Sequence, residues 1–143
     1  MTPKTLAALH ARAFSGASRP WSAAEFEALL ADPAISLFAD HSNTAFALFR
    51  QAGPEAEMLT VCTDPQHRRR GIARNILTTA HAALADTGVE TVFLEVSGEN
   101  LGAMRLYDDL GYLRTGMRPG YYLVDGRRRV DAIVMRLQLR GPD

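Results

Sequence analysis

Arg68-Arg69-Arg70-Gly71-Ile72-Ala73 is the segment whose residue types and spacing point most directly to chemistry. An apolar, β-branched run from Met58 to Thr63 closes at Asp64-Pro65 before it, and a helical pattern continues after it to Gly88. A strand therefore feeds a glycine-containing turn that opens a helix. The first N–H groups of a helix have no intrahelical acceptor, and with the positive end of the dipole they form an anion site. Gly71 suits a ligand that touches backbone, Ala73 keeps the first turn open, and Arg68, Arg70 and Arg74 supply guanidinium groups for phosphate oxygens. A pyrophosphate is the expected ligand. A solvated basic loop and a nucleic-acid patch are the competing readings of three adjacent arginines. No Gly-x-Gly-x-x-Gly and no Gly-Lys-Ser/Thr occurs, so the dinucleotide and P-loop fingerprints are both absent. Glu95 is the second signal, because it interrupts the apolar run Val92-Phe93-Leu94-Glu95-Val96. Such a carboxylate either faces a cavity or pairs with an arginine at the strand edge, since an uncompensated buried charge is costly.

The elements that must position these groups follow from local patterns. Pro3 to Phe14 reads as a helix with Leu6, Leu9, Ala13 and Phe14 on one face, followed by a polar loop over Ser15 to Arg19. Ser22 and Glu25 have capping-box spacing, with Trp21 and Phe26 at the staple positions, and the helix they open ends near Asp32-Pro33. Ile35 to Ala39, Thr44 to Gln51 and Glu55 to Thr63 read as strands joined by hairpin turns. The helix after Gly71 turns Ile72, Ile76, Leu77, Ala80 and Leu84 inward, and places His81 with Arg74 and Thr78 on the exposed side. Thr91 to Val96 reads as a strand buried on both faces. Leu101 to Leu110 is a short helix entered by Asn100, and Tyr112 to Tyr122 with Val130 to Leu139 form a hairpin around Asp125-Gly126. Tight turns give antiparallel neighbours and helical connections give parallel ones, so the expected α/β (α+β mixed) fold has one mixed sheet covered by helices.

Composition bounds the function. At 143 residues and 47% hydrophobic, the chain is expected to form one domain over 1–143 with a core large enough to need neither metal nor disulfide. Sixteen basic and sixteen acidic residues balance, which argues against global attraction to nucleic acid. Cys62 is the only cysteine and reads as packing, with no histidine and acid arranged around it as for a nucleophile. His10, His41, His67 and His81 show no metal-ligand spacing, so no metal is expected. No stretch approaches membrane-spanning length and no signal sequence is evident, so a cytoplasmic location is expected.

The turn Arg68-x-x-Gly71-x-Ala73 resembles the Arg/Gln-x-x-Gly-x-Gly/Ala turn of the GNAT acetyltransferases, which holds the pyrophosphate of coenzyme A. Leu94-Glu95-Val96, Asn100, and Leu106-Tyr107 before Leu110-Gly111-Tyr112 resemble the second half of that signature. Pro20-Trp21-Ser22 with Phe26, Ala56-Glu57-Met58-Leu59, and Tyr121-Tyr122 with Gly126-Arg127 and Asp131 to Met135 are similar to the bacterial ribosomal-protein-alanine N-acetyltransferases, the RimI family. The likeness spans roughly positions 10 to 137. It implies a GNAT fold with a mostly antiparallel sheet of six to seven strands flanked by about four helices. His67-Arg68 replaces Tyr-Gln or Tyr-Arg, Ser97 replaces the usual Arg after Leu-Glu-Val, and residues 15–18 lengthen a loop where the family binds its peptide.

The resemblance implies acetyl transfer from acetyl-CoA to a protein N-terminal α-amine, such as the alanine of a small-subunit ribosomal protein. Glu95 is implied as the base and Tyr107 as the acid that protonates the departing thiolate. Arg68, Arg69, Arg70, Gly71, Ile72, Ala73 and Arg74 are implied to hold the pyrophosphate, and Val61, Cys62 and Thr63 to bind pantetheine through backbone. Asn100 and Tyr107 complete the implied cofactor site, while Trp21, Glu57, Arg118, Tyr121 and Tyr122 meet the acceptor. Arg127-Arg128-Arg129 reads as a solvated hairpin edge. The implied partners are acetyl-CoA and a protein N-terminus, with no membrane, no direct nucleic acid, and a monomer or weak dimer. A GNAT enzyme acting on a small amine or lysine, a non-catalytic acyl-CoA-binding module and a nucleic-acid-binding protein remain the alternatives.

Overall fold

The computed structural model describes residues 1–13, 20–124 and 126–139. The polar loop after the first helix and Asp125 of the last turn lie outside the described residues. Four α-helices, α1 (Pro3–Ala13), α2 (Ala23–Ala31), α3 (Ile72–Asp86) and α4 (Leu101–Asp109), accompany six strands. The strands are β1 (Ile35–Ala39), β2 (Ala45–Ala52), β3 (Glu55–Thr63), β4 (Thr91–Ser97), β5 (Leu113–Val124) and β6 (Arg128–Gln138). They form one sheet in the order β1-β2-β3-β4-β6-β5, antiparallel throughout except for β3 against β4. This is the expected mixed α/β architecture.

Local chemistry explains the elements. Ser22 Oγ accepts from Glu25 N–H and Glu25 Oε1 from Ser22 N–H, each at 3.2 Å, so the capping box that opens α2 is complete. Strand β2 is buried on both faces, since Phe46 and Leu48 pack under α1 and α2 while Ala45, Ala47 and Phe49 pack under α3 and α4. Two cores therefore lie on opposite sides of one sheet. Leu6, Leu9, Phe26 and Cys62 complete the first, and Ile76, Leu77, Ala80, Leu84, Val92, Leu94 and Met104 belong to the second. No helix among the described residues is long and apolar enough to cross a membrane.

Two expectations are corrected. Strand β4 is not buried on both faces: Val92, Leu94 and Val96 enter the α3–α4 core, whereas Phe93, Glu95 and Ser97 are half-buried on the other side. His81 is not on the exposed side of α3. Its Nε2 lies 2.8 Å from Tyr112 Oη and its ring packs edge-on to Phe49, with centroids 6.3 Å apart. A hydrogen-bonding partner and an aromatic wall favour the inward orientation over hydration.

Burial lowers the His81 pKa to about 4. The folded state then binds fewer protons than the unfolded one between pH 6.5 and 4, so this residue's stabilisation is present above pH 6.5 and is lost as pH falls towards 4. His81→Gln keeps an amide to meet Tyr112 but does not titrate. Its urea midpoint should decline less steeply than that of the parent protein from pH 6.5 to 4, and parallel declines would refute the assignment.

Candidate active site

The parallel contact that joins the two halves of the sheet is short. Strands β3 and β4 pair only at Glu55–Thr91, Ala56–Val92 and Glu57–Phe93. Immediately beyond, β3 carries a bulge: Phe49 of β2 pairs with Met58 and Leu48 with Thr60, leaving Leu59 as the extra residue. A bulge bends its strand and increases its twist. From Met58 to Thr63 and from Leu94 to Ser97 no ladder joins the two strands, so backbone groups on the facing edges have no cross-strand partner there among the described residues.

At the end of the diverging β3, the chain turns through a short 3-10 helix, Pro65–His67, to the start of α3. Asp64 Oδ1 accepts from Gln66 N–H at 3.0 Å and its Oδ2 meets Arg12 Nη2 at 3.2 Å. The Gln66 bond first, and Arg12 after it, hold this carboxyl below its usual range. Arg69 and Gly71 both have positive φ, 65° and 74°. Gly71 is the residue before the first turn of α3 and has no side chain to cap it. Consecutive amides bent this way form an anion-binding concavity. The arginines divide: Arg68 donates to the Ala13 carbonyl at the end of α1 at 3.1 Å, Arg74 pairs with Asp109 of α4 at 3.1 Å, and Arg69 and Arg70 are exposed. Ile72 and Ala73, half-buried, begin α3.

The side chains of β4 that face away from α3 meet a cavity of about 360 Å³ lined by Arg50, Glu57, Phe93, Glu95, Arg118 and Val134. Glu95 Oε1 accepts from Arg118 Nε at 2.9 Å, and the Arg118 guanidinium lies 5.4 Å from the Tyr121 ring centroid. Both of the alternatives open for Glu95 in the sequence are therefore present at once, a cavity and an arginine partner. Tyr107 of α4 is buried, and its phenol is pushed well above the usual range by burial first, then by its neighbours Cys62 and Tyr122. Tyr122 is raised by burial and next by the charge of Glu95. Tyr122, half-buried on β5, thus lies within electrostatic reach of both Glu95 and Tyr107.

The other expected residues are placed differently. Trp21 stacks on His10 with centroids 4.9 Å apart and packs into the α1–α2 core, rather than lining the cavity. Its N–H donates to His10 Nδ1 at 3.1 Å, and burial lowers the His10 pKa to about 4. Asn100 caps α4 by accepting from Ala103 N–H at 3.2 Å. Val61 and Thr63 are half-buried on β3, while Cys62 is buried and its thiol is pushed up to about 12 by burial. Arg50 and Val134 are cavity residues that the sequence reading missed. Their signal was register, since Arg50 pairs with Glu57 and Val134 with Glu95.

A family model described as acetyltransferase (GNAT) family matches residues 5–112. The chain belongs to the GNAT acetyltransferase family. Among curated proteins it is similar to the [Ribosomal protein bS18]-alanine N-acetyltransferase of Escherichia coli (strain K12), with 32% identity over 123 residues covering 84% of this chain and 82% of that protein. It is also similar to N-alpha-acetyltransferase RimI of Mycobacterium tuberculosis, with 35% identity over 143 residues covering 95% of this chain and 86% of that protein. The crystal structure of the ribosomal-protein-S18-alanine N-acetyltransferase from Escherichia coli aligns at a TM-score of 0.87 with 27% identity, over 99% of this chain and 90% of that one.

This GNAT protein is accordingly an acetyl-CoA-dependent N-acetyltransferase. The residues present fit the coenzyme: two positive-φ residues shape amides before an uncapped helix start, and the strand edges leading to them lack cross-strand partners. A Cβ at Gly71 would meet nothing within 4 Å, so the glycine answers to conformation and access rather than to crowding within the protein. Asparagine tolerates positive φ better than other non-glycine residues. Gly71→Asn should therefore keep its urea midpoint close to that of the parent while its side chain obstructs the amides, weakening coenzyme A binding at least tenfold by calorimetry. Unchanged affinity would remove the phosphate-loop assignment.

Proposed function

We propose that this enzyme acetylates the N-terminal α-amine of a protein, with the alanine of a small-subunit ribosomal protein as acceptor, using Glu95 as base and Tyr107 as acid. The observation that carries this reading is the Glu95 carboxylate, which stands in the cavity beside the divergence of β3 from β4 and is held there by Arg118. The names of the two curated relatives support the acceptor class.

Acetyl-CoA supplies the acetyl group as a thioester. The amides from Arg69 to the start of α3 hold its pyrophosphate together with Arg70, and the free edge over Val61 to Thr63 holds its pantetheine amides. An α-amine has a pKa of roughly 7.7–8.0 and is mostly protonated near pH 7, yet only the neutral form is a nucleophile. Glu95 removes that proton at its carboxylate, and Glu57, exposed on the same side of the neighbouring strand, draws the ammonium group in. Cys62 gauges what the departing sulfur would meet. Its thiol is pushed up to about 12 by burial, so a thiolate is disfavoured inside this part of the protein, and a departing thiolate would need a proton from a hydroxyl such as that of Tyr107.

Two experiments test the reading. A peptide beginning with free alanine should be acetylated once, and the same peptide with a blocked terminus and internal lysines should not. Equal rates would favour a lysine or small-amine acetyltransferase. Glu95→Gln should lower the rate at pH 7 by about 10²–10⁴-fold, with partial recovery at higher pH as more amine becomes neutral unaided. Tyr107→Phe should slow the reaction without that recovery. Wild-type activity of Glu95→Gln across the pH range would place the base elsewhere.

A further inference from the structure

Arg118 was expected from the sequence to meet the acceptor peptide, but its geometry serves another group. Its Nε lies 2.9 Å from Glu95 Oε1, and its guanidinium rests 5.4 Å from the Tyr121 ring centroid. The side chain is therefore held at both ends of its charge, although it is 58% exposed. Register explains how it reaches. Arg118 pairs with Ala132, which pairs with Ser97, two rows beyond the row of Glu95, Val134 and Gly116 and so on the same face. Glycine at 116 puts no side chain over Val134, so the guanidinium can cross the strand between them to the carboxylate.

We propose that Arg118 is a positioning residue for Glu95: it fixes the carboxylate by one oxygen, and its positive charge disfavours an ammonium ion on the base, so that the acceptor amine is held in its neutral form. This inference rests on the reading of Glu95 as the base. A cation beside a reacting amine is a general means of lowering the amine's pKa. A unit charge at this range shifts a pKa by about one unit, or about tenfold in the neutral fraction below it.

The charged and titratable groups facing the pair are Arg50 from β2, Glu55 and Glu57 from β3, Arg136 from β6, and Tyr121 and Tyr122 from β5. Glu57 attracts the ammonium group from the far side of the cavity. Arg118 opposes its persistence at the point where the proton must leave.

A peptide-binding role and a positioning role differ in the kinetic constant each moves. With an alanine-initiated peptide and saturating acetyl-CoA, kcat and KM are measured from pH 6 to 9.5 for the parent, Arg118→Met and Arg118→Lys. Arg118→Met should lower kcat at pH 7 about tenfold and move its acidic limb up by about one pH unit, with peptide KM unchanged or lower because ammonium now binds Glu95 unopposed. Arg118→Lys should restore part of the limb. Tyr121→Leu, which removes the aromatic rest but keeps the charge, should produce a smaller shift in the same direction. A raised KM with kcat and its pH limb unchanged would overturn the proposal in favour of peptide binding, and no change in either constant would overturn it as well. Loss of activity in Glu95→Gln alongside either result would leave the base assignment standing. Wild-type activity in Glu95→Gln would instead remove both.

Discussion

The short parallel pairing between β3 and β4 is the constraint on which the rest of the molecule depends. Three residue pairs hold the two halves of the sheet together, and the extra residue Leu59 then bends β3 away. Longer pairing would satisfy the backbone along both edges and leave a ligand nothing to bind. The divergence is stable because each half has its own partners: β3 keeps its ladder with β2, and β4 keeps seven pairs with β6. The lost cross-strand bonds are thereby confined to the facing edges. The helices secure the same arrangement, since α1 and α2 cover one face of the β1–β3 side while α3 covers the other. The bulge also changes which side chains face where, so that Thr60 and Cys62 lie together beneath α1 and Val61 joins the α3–α4 core.

Desolvation acts on the buried thiol and phenols around this divergence in one direction. Cys62, Tyr107, Tyr112 and Tyr122 are all raised by burial, so the neutral forms of thiol and phenol prevail there. His10 and His81 are lowered by the same cause, which again favours the neutral form. Charge concentrates instead in the cavity, where Glu95 meets Arg118 and Glu57 lies across from Arg50. On the proposed reading, the neutral, proton-holding thiol and phenols suit the departure of sulfur, and the charged cavity suits the arrival of an amine.

Much of this was legible in the sequence because it is encoded over a few residues. The capping box at Ser22 and Glu25, the Pro65 turn and the glycine before α3 each need only neighbours to declare themselves. The misreadings arose where distant strands or helices decide. Glu95 stands in a run that reads as doubly buried, yet β3 leaves it after Phe93 and the cavity opens there. His81 looked solvent-facing beside Arg74 and Thr78, but Tyr112, beyond α4, turns it inward. Arg68 matches a phosphate pattern, and its guanidinium also reaches back to the Ala13 carbonyl, a contact that the pattern does not announce. Periodicity has no access to a partner 55 residues away.

That last contact joins the turn before α3 to α1. Arg68 fastens the phosphate-loop segment to the C-terminal end of α1, where a cation also complements the helix dipole, and Arg12 of α1 fastens Asp64 at the start of the same segment. The end of α1 leads towards Trp21 and the start of α2, where the first core is built on His10, Trp21 and Phe26. A shift of α1 would therefore move both the loop that precedes α3 and the aromatic cluster at the start of α2. On the other flank, Arg74 ties the first turn of α3 to Asp109 at the end of α4, the helix that carries Tyr107. Each exposed ion pair adds little stability by itself. Their placement is what counts, because they link the turn before α3 on one side to α1 and its core and on the other to the helix bearing the proposed acid.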